Sequence, residues 1–335
     1  METLGKFSVV IPATAFVVLL VVVPAIAQGA EEKSFLLRVG RLWLDKTEDQ
    51  MRIRKVKAVL AGKDTMDGAG VRLKRIFGYP EVPSFDPFLL LDDFRSDNAK
   101  DYIAGFPWHP HRGIETVTYL IEGRMKHGDN LGNKGVLKSG GIQWMTAGSG
   151  IIHEEMPEQV GGVLAGLQLW VNLPRSHKMM NPRYQDIAAV DVPVEDLPVG
   201  GIVRVLAGSY GDQVGPIRDV VAEPSYLDVT LPSGSTFVHE VQIGHTVCAY
   251  LLMGSGVFSP GADETLAQHV VLYADGQQVS IQAGPEGVRF ILVSGQPLGE
   301  PVAWQGPIVM TTQEELEIAF REYRAGTFLK PTSDK

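Results

Sequence analysis

Two short stretches hold most of the residues that could do chemistry. The first reads Phe106-Pro107-Trp108-His109-Pro110-His111-Arg112-Gly113-Ile114-Glu115, and the second reads Ser149-Gly150-Ile151-Ile152-His153-Glu154-Glu155-Met156. Each places two metal-ligating side chains at i and i+2. Side chains alternate faces along a strand, so His109 and His111 share one face, as do His153 and Glu155. Two adjacent strands turned toward one cavity then offer three imidazoles and a carboxylate. That donor set suits Fe, Mn, Co, Ni, Cu or Zn better than Ca or Mg. Four protein ligands in an octahedral shell leave two positions open for water or substrate. Glu115 competes for the carboxylate place, because it falls on the same strand parity as the two histidines. One such pair alone is an incidental pattern. Two pairs together, each flanked by glycine turns and apolar runs, single out residues 105–156.

The elements that must position these residues read as strands. The chain has 37 Gly and 21 Pro among 335 residues, a density of breakers that favours short strands and turns over long helices. Val71-Arg72-Leu73-Lys74-Arg75-Ile76-Phe77 alternates with period 2, the pattern of a half-buried strand. Thr116-Val117-Thr118-Tyr119-Leu120-Ile121 is β-branched and aromatic, and residues 164–173 read as a further barrel strand. Asp92 and Asp93 fall at a strand end, where hydrogen bonding is a better account than metal ligation. Phe106, Trp108, Trp144, Met145 and Met156 could line a cavity, and two of the five are expected to. His127 and His177 stand alone and are expected to be ordinary surface or satisfied histidines. Arg112 points to the face opposite His111, which suits a structural role. Residues 176–224, rich in proline, read as a connector with a short strand near 202–206. Residues 225–310 read as a second copy: Thr246-Val247-Cys248-Ala249-Tyr250-Leu251-Leu252-Met253-Gly254 lies over residues 116–123 with one insertion. The copy has no His-x-His, and His239, His245 and His269 show no paired spacing. Thr312-Gln313-Glu314-Glu315 is a capping box opening a helix to about Ala325, stopped by Gly326, with Leu316, Ala319, Phe320 and Tyr323 near one face.

Asp86-Pro87-Phe88-Leu89-Leu90-Leu91-Asp92, His109-Pro110-His111-Arg112-Gly113, Gln143-Trp144-Met145-Thr146-Ala147-Gly148, His153-Glu154-Glu155-Met156-Pro157 and Leu167-Gln168-Leu169-Trp170-Val171-Asn172 occur in this order. Together they resemble the pirin family of the cupin superfamily, over residues 51–328. The resemblance implies a mainly β fold: two cupin-type jelly-roll β-barrels packed together, with a C-terminal helix. It implies residues 51–175 as the metal-binding barrel, 176–224 as the connector, and 225–335 as a metal-free barrel plus the helix. It implies one divalent transition metal, Fe(II) first, with Mn, Co, Ni, Cu or Zn as alternatives. Carried over residue by residue, the ligands are His109, His111, His153 and Glu155, in preference to Glu115. Some members resemble quercetin 2,3-dioxygenases, which implies a small aromatic, flavonol-like substrate and O2, with Glu155 as the base that takes the substrate proton. Others resemble redox-dependent regulatory proteins, which implies a protein partner and an iron that senses.

The net charge is −9, which argues against direct nucleic-acid binding, where a basic face supplies most of the affinity. The single cysteine, Cys248, excludes an internal disulfide and, in an apolar run, reads as a buried thiol. A monomer is expected. Residues 1–50 differ from the rest. An uncharged run from Phe7 to Ala30 follows Lys6, the layout of a signal peptide or, through residues 7–27, of a membrane anchor. Met51-Arg52-Ile53-Arg54-Lys55-Val56 looks like the usual beginning of a bacterial pirin. Export or anchoring is therefore expected if residues 1–50 are made, and a cytoplasmic protein if translation starts at Met51.

Overall fold

Breaker density and period-2 patterns make strand the dominant element among the described residues. The computed structural model describes residues 52–159 and 161–331. The segment 7–27 lies outside the described residues. Among the described residues, no helix is long and apolar enough to cross a membrane.

The first barrel is built from two sheets. One has four strands in the order Phe106–His111, Ile151–Glu158, Arg124–Asp129, Lys134–Lys138. The other has seven, in the order Arg183–Ile187, Ile142–Thr146, Ile114–Glu122, Ala165–Asn172, Phe88–Asp93, Val71–Phe77, Lys63–Asp67. The second barrel is one continuous sheet of nine strands. Its long strands Thr246–Val257 and Gln278–Gly295 pass from one wall to the other through register shifts at Leu251/Met253 and Gly254/Gly256. Gly254 makes that bend with φ +72, and a Cβ there would sit 2.0 Å from the Gly287 carbonyl oxygen. Only glycine fits such a close crossing.

The barrels exchange their ends. Strand Val56–Ala61, expected to lead into the first barrel, pairs antiparallel with His269–Tyr273 at the edge of the second. Its alternating half-buried and exposed residues suit an edge strand, whichever sheet offers the free edge. In return, the hairpin Ala303–Gln305/Ile308–Met310 lies against the first barrel, where the Val309 N–H donates to the Arg112 carbonyl. The connector region 176–224 is shared as well: Arg183–Ile187 extends the first barrel's sheet, whereas Ile202–Ala207 pairs with Ser225–Leu231 in the second. One apolar cluster crosses between the barrels, from Phe77, Phe88 and Trp144 to Tyr226, Tyr250 and Leu272. Two buried hydroxyls cross with it: Tyr119 donates to Asp228 and Tyr250 donates to Asp93, each at 2.6 Å. Cys248 lies in this cluster, and burial pushes its thiol up to about 12.

The C-terminal helix spans Gln313–Ala325, capped by Thr312 with Glu315 and ended by Gly326 at φ +72. Leu316 and Ala319 are buried with Ile308, Met310 and Phe328. Tyr323, expected on that face, is 40% exposed and meets Phe328 edge-on, because the helix buries only a narrow stripe.

Candidate functional site

Strands Phe106–His111 and Ile151–Glu158 are antiparallel neighbours, with His109 directly opposite His153. Alternation brings His111 to the same face as His109. The Nε2 atom of His109 lies 3.0 Å from Nε2 of His111 and 3.0 Å from Nε2 of His153. The Nδ1 of His109 contacts the Pro107 carbonyl at 2.8 Å, and the Nδ1 of His111 contacts the Pro307 carbonyl at 3.0 Å. A carbonyl only accepts, so each of these Nδ1 atoms carries the hydrogen and each Nε2 presents a lone pair. Burial pushes all three imidazoles below their ordinary range, most strongly His111 and His153. The Nε2 lone pairs of His109 and His111 face each other at 3.0 Å beside Nε2 of His153, an arrangement that a cation at that point would relieve. The trio fits a transition-metal ion on this ground, and these three histidines could hold one.

Glu155 follows two residues after His153, on the same face, and is buried. A register shift between His153 and Glu155 sets it opposite Phe106. Its Oε1 accepts from the Thr118 hydroxyl at 2.8 Å, and the same hydroxyl lies 2.6 Å from Oε1 of Gln168. Burial pushes the Glu155 carboxyl up to about 7. Among the described residues, the grouping of ligand atoms comprises the three histidines; the Glu155 carboxylate lies outside it, in the same cavity.

Glu115 is not brought to the trio. Strand parity would carry it there only if the strand ran straight through Gly113. It does not: Gly113 adopts φ +77, and a Cβ there would lie 2.0 Å from the Val309 carbonyl oxygen. This turn moves the chain from the four-stranded to the seven-stranded sheet, where Glu115 sits fully buried and accepts from the Thr146 hydroxyl. Arg112 is structural, as read from its parity. Its guanidinium donates to the carbonyls of Ser149 and Phe328 and to the Glu322 carboxylate, and stacks 4.2 Å over the Phe328 ring. Asp92 pairs with Arg75, and Asp93 with Arg95, in agreement with their hydrogen-bonding assignment.

His109 and His111 open onto a cavity of about 680 Å³. Its walls include Phe106, Trp170, Trp304, Tyr79 and the Arg75–Asp92 pair, with Gln168 and Glu155 beside the histidines. Of the five side chains named as cavity candidates, Phe106 alone lines it, one where two were expected; Trp108, Trp144, Met145 and Met156 do not. Trp144 and Met145 are buried in the core, and Trp108 is 52% exposed. Sequence reasoning missed Trp304 and Pro307, which come from the returning hairpin nearly two hundred residues away and leave no local signal. His127, expected to be a surface or satisfied histidine, is buried rather than on the surface, with Nε2 3.5 Å from Asp129 Oδ2 and its ring centroid 5.3 Å from that of His153.

Residues 70–171 match the pirin family, and residues 226–329 match the pirin C-terminal cupin domain. A pirin-like protein of Caulobacter vibrioides is 46% identical over 279 residues, 83% of this chain and all of the relative. The crystal structure of a quercetin 2,3-dioxygenase from Acinetobacter baumannii superposes with a TM-score of 0.76 at 33% identity, over 82% of this chain and 98% of that one. A bacterial pirin of Escherichia coli, solved in complex with nickel(II), shares the fold at a TM-score of 0.56 and 20% identity, over 72% of this chain and 98% of that one. The two barrels, their order and the sequence matches along both make this chain a member of the pirin family.

Proposed function

We propose that the chain is a mononuclear metal-dependent dioxygenase acting on flavonols or related aromatic compounds, with Fe(II) held by His109, His111, His153 and Glu155. The observation that carries this reading is the convergence of three neutral imidazole nitrogens on one point at the end of an aromatic-walled cavity. A bound ion of this kind supplies charge stabilisation and a place where O2 and a chelating substrate meet. The remaining work falls to the protein. Trp170 stands edge-on to His111 at 5.0 Å and 5.8 Å from Trp304, so the two indoles offer apolar faces to a planar ring. Glu155 takes the proton of the substrate hydroxyl, because its buried carboxylate lines the cavity beside the histidines, within reach of a hydroxyl bound there. Thr118 holds that carboxylate in place. Mn, Co, Ni, Cu or Zn would fit the same donors.

The test uses the protein starting at Met51, loaded anaerobically with Fe(II) and given quercetin in air. Oxygen uptake tied to ring cleavage and lost in His111→Ala is the expected result. One bound metal with no uptake, after the other ions have been tried, would overturn the dioxygenase reading in favour of a redox-sensing protein that acts through a protein partner.

A further inference from the structure

A row of polar side chains crosses one wall of the cavity. In the seven-stranded sheet, Thr118 lies opposite Gln168, Gln168 opposite Asp92, and Asp92 opposite Arg75. Facing residues of an antiparallel pair point the same way, so all four turn inward. The row starts at Glu155: the Thr118 hydroxyl lies 2.8 Å from the Glu155 carboxylate and 2.6 Å from the Gln168 side-chain oxygen. It ends at Arg75, which lines the cavity. Leu73, Leu90 and Trp170, each two residues along the chain from a member of the row, line the cavity beside it. One polar stripe therefore crosses an apolar surface. Three strand spacings separate Thr118 from Arg75, about 14 Å in all, a span that suits a fused bicycle carrying a third ring.

Arg75 is held in place without using all its donors. A guanidinium has five N–H groups. Nε donates to Oδ1 of Asp92 at 2.9 Å, and Nη2 donates to Oδ2 of Asp92 at 2.7 Å and to Oδ2 of Asp67 at 2.9 Å. Among the described residues, the two hydrogens on Nη1 meet no acceptor. Asp92 is buried, and its two-point pairing fixes the plane of the fork. The Nη1 donors are thus oriented before a ligand arrives, and a bond to them costs little ordering. Two carboxylates flank this one guanidinium, so it has no positive charge to spare for an anion. The pair suits a neutral phenolic hydroxyl instead. Its oxygen accepts from Nη1, and its hydrogen goes to the Asp67 carboxylate, which lines the same cavity.

We infer that Arg75 is a specificity-determining residue: its Nη1 donates to a phenolic hydroxyl on the end of the substrate remote from the metal, and Asp67 accepts that hydroxyl's hydrogen. The inference deepens the dioxygenase reading above and rests on it. It narrows the substrate class to aromatic chelators hydroxylated at both ends, with inner oxygens for the metal and an outer one for Arg75.

The experiment uses the whole protein, loaded with Zn(II) and kept free of O2. Dissociation constants are measured for quercetin, for the parent flavonol, which keeps only the inner chelating oxygens, and for quercetin methylated on its outer hydroxyls. The shift of the flavonol absorption band on chelation reports the inner contact. Wild type should bind quercetin about 10- to 100-fold more tightly than the other two, the factor expected for a hydrogen bond to a charged group. Arg75→Lys keeps a cation against Asp92 but has no second arm, and it should remove most of that preference. Arg75→Met with Asp92→Leu takes the pair away together, so no buried carboxylate is left alone, and it should act alike. A general disturbance of the cavity would weaken all three ligands by one factor and leave the preference intact. Equal affinities in wild type, or an unchanged preference in the variants, would overturn the role of Arg75. His111→Ala separates the two failures. If the band shift occurs in wild type and is lost in His111→Ala, the metal reading stands and only the role of Arg75 is at stake. If the shift is absent from wild type, or persists in His111→Ala, the metal reading itself has failed, and the Arg75 role with it.

Discussion

In the first barrel, Phe106–His111 lies beside Ile151–Glu158, which lies beside Arg124–Asp129. In the second, Thr236–Glu240 lies beside the start of Gln278–Gly295, which lies beside the end of Thr246–Val257. The two walls match strand for strand, so their residues can be compared by register. His109 pairs with His153; His239 pairs with Val279. Two residues after His109 comes His111, and two after His239 comes Val241. Two residues after His153 comes Glu155, and two after Val279 comes Ile281. Val279 and Ile281 are fully buried in an apolar core with Phe237, Phe258 and Phe290. The same architecture thus holds a cavity with buried polar side chains in one copy and a packed apolar interior in the other. Buried imidazoles are costly unless their lone pairs and hydrogens are used. Aliphatic replacements remove that cost, and their volume fills the space.

The largest expected effect comes from making the first barrel resemble the second. His111→Ala with Glu155→Ala should lower bound metal from about one equivalent to near none, read by metal analysis of the loaded protein. The fold should survive, because the second barrel and the helix do not use those residues. Full metal content in the double variant would break the comparison.

The next effect concerns the exchange of ends. Lys178 is buried, and its ammonium donates to the Gly113 carbonyl, the Asn172 side chain and the Val309 carbonyl, tying the hairpin of the chain's end to the first barrel. Lys178→Met leaves three buried acceptors without a donor and should cost about 2–4 kcal/mol in urea unfolding. Burial brings the amine down to about 7 from an ordinary 10.5. The unfolded chain then binds the proton that the folded chain gives up. Wild-type stability should therefore rise as pH climbs from about 7 toward 10.5, and fall back over the same window to a constant level below 7, where both states carry the proton. The Met variant should lack this part of the slope; an unchanged slope would show that Lys178 stays charged in its cage of acceptors.

A smaller effect is expected where the barrels meet. Tyr119→Phe removes the hydroxyl that donates to Asp228, but Arg289 still pairs with that carboxylate through two nitrogens. A loss of about 1 kcal/mol is expected, because Asp228 keeps partners. A loss several times larger would mean that the two barrels unfold as one unit through this contact. The smallest effect belongs to the second barrel's own histidine. His239 packs beside Tyr210 and Phe237, and His239→Ala should leave metal content unchanged. Loss of a second equivalent would show that this barrel also binds an ion.

Much of this was legible in the sequence. Alternation and breaker density determined the strands. The i, i+2 pairs marked His109, His111, His153 and Glu155 as one inward-facing set. Thr312, Glu315 and Gly326 determined the helix and both of its ends. These are local features, fixed by side-chain period and backbone conformation over a few residues. Tertiary structure alone decided the rest. Parity placed Glu115 with the histidines until the positive φ of Gly113 turned the strand into another sheet. The first strand joined the second barrel, and the last hairpin brought Trp304 and Pro307 to the first barrel's cavity. An edge strand or a covering loop is specified by whichever free edge and apolar face the packed barrels leave open. That information is spread over residues some two hundred positions apart and has no period to read.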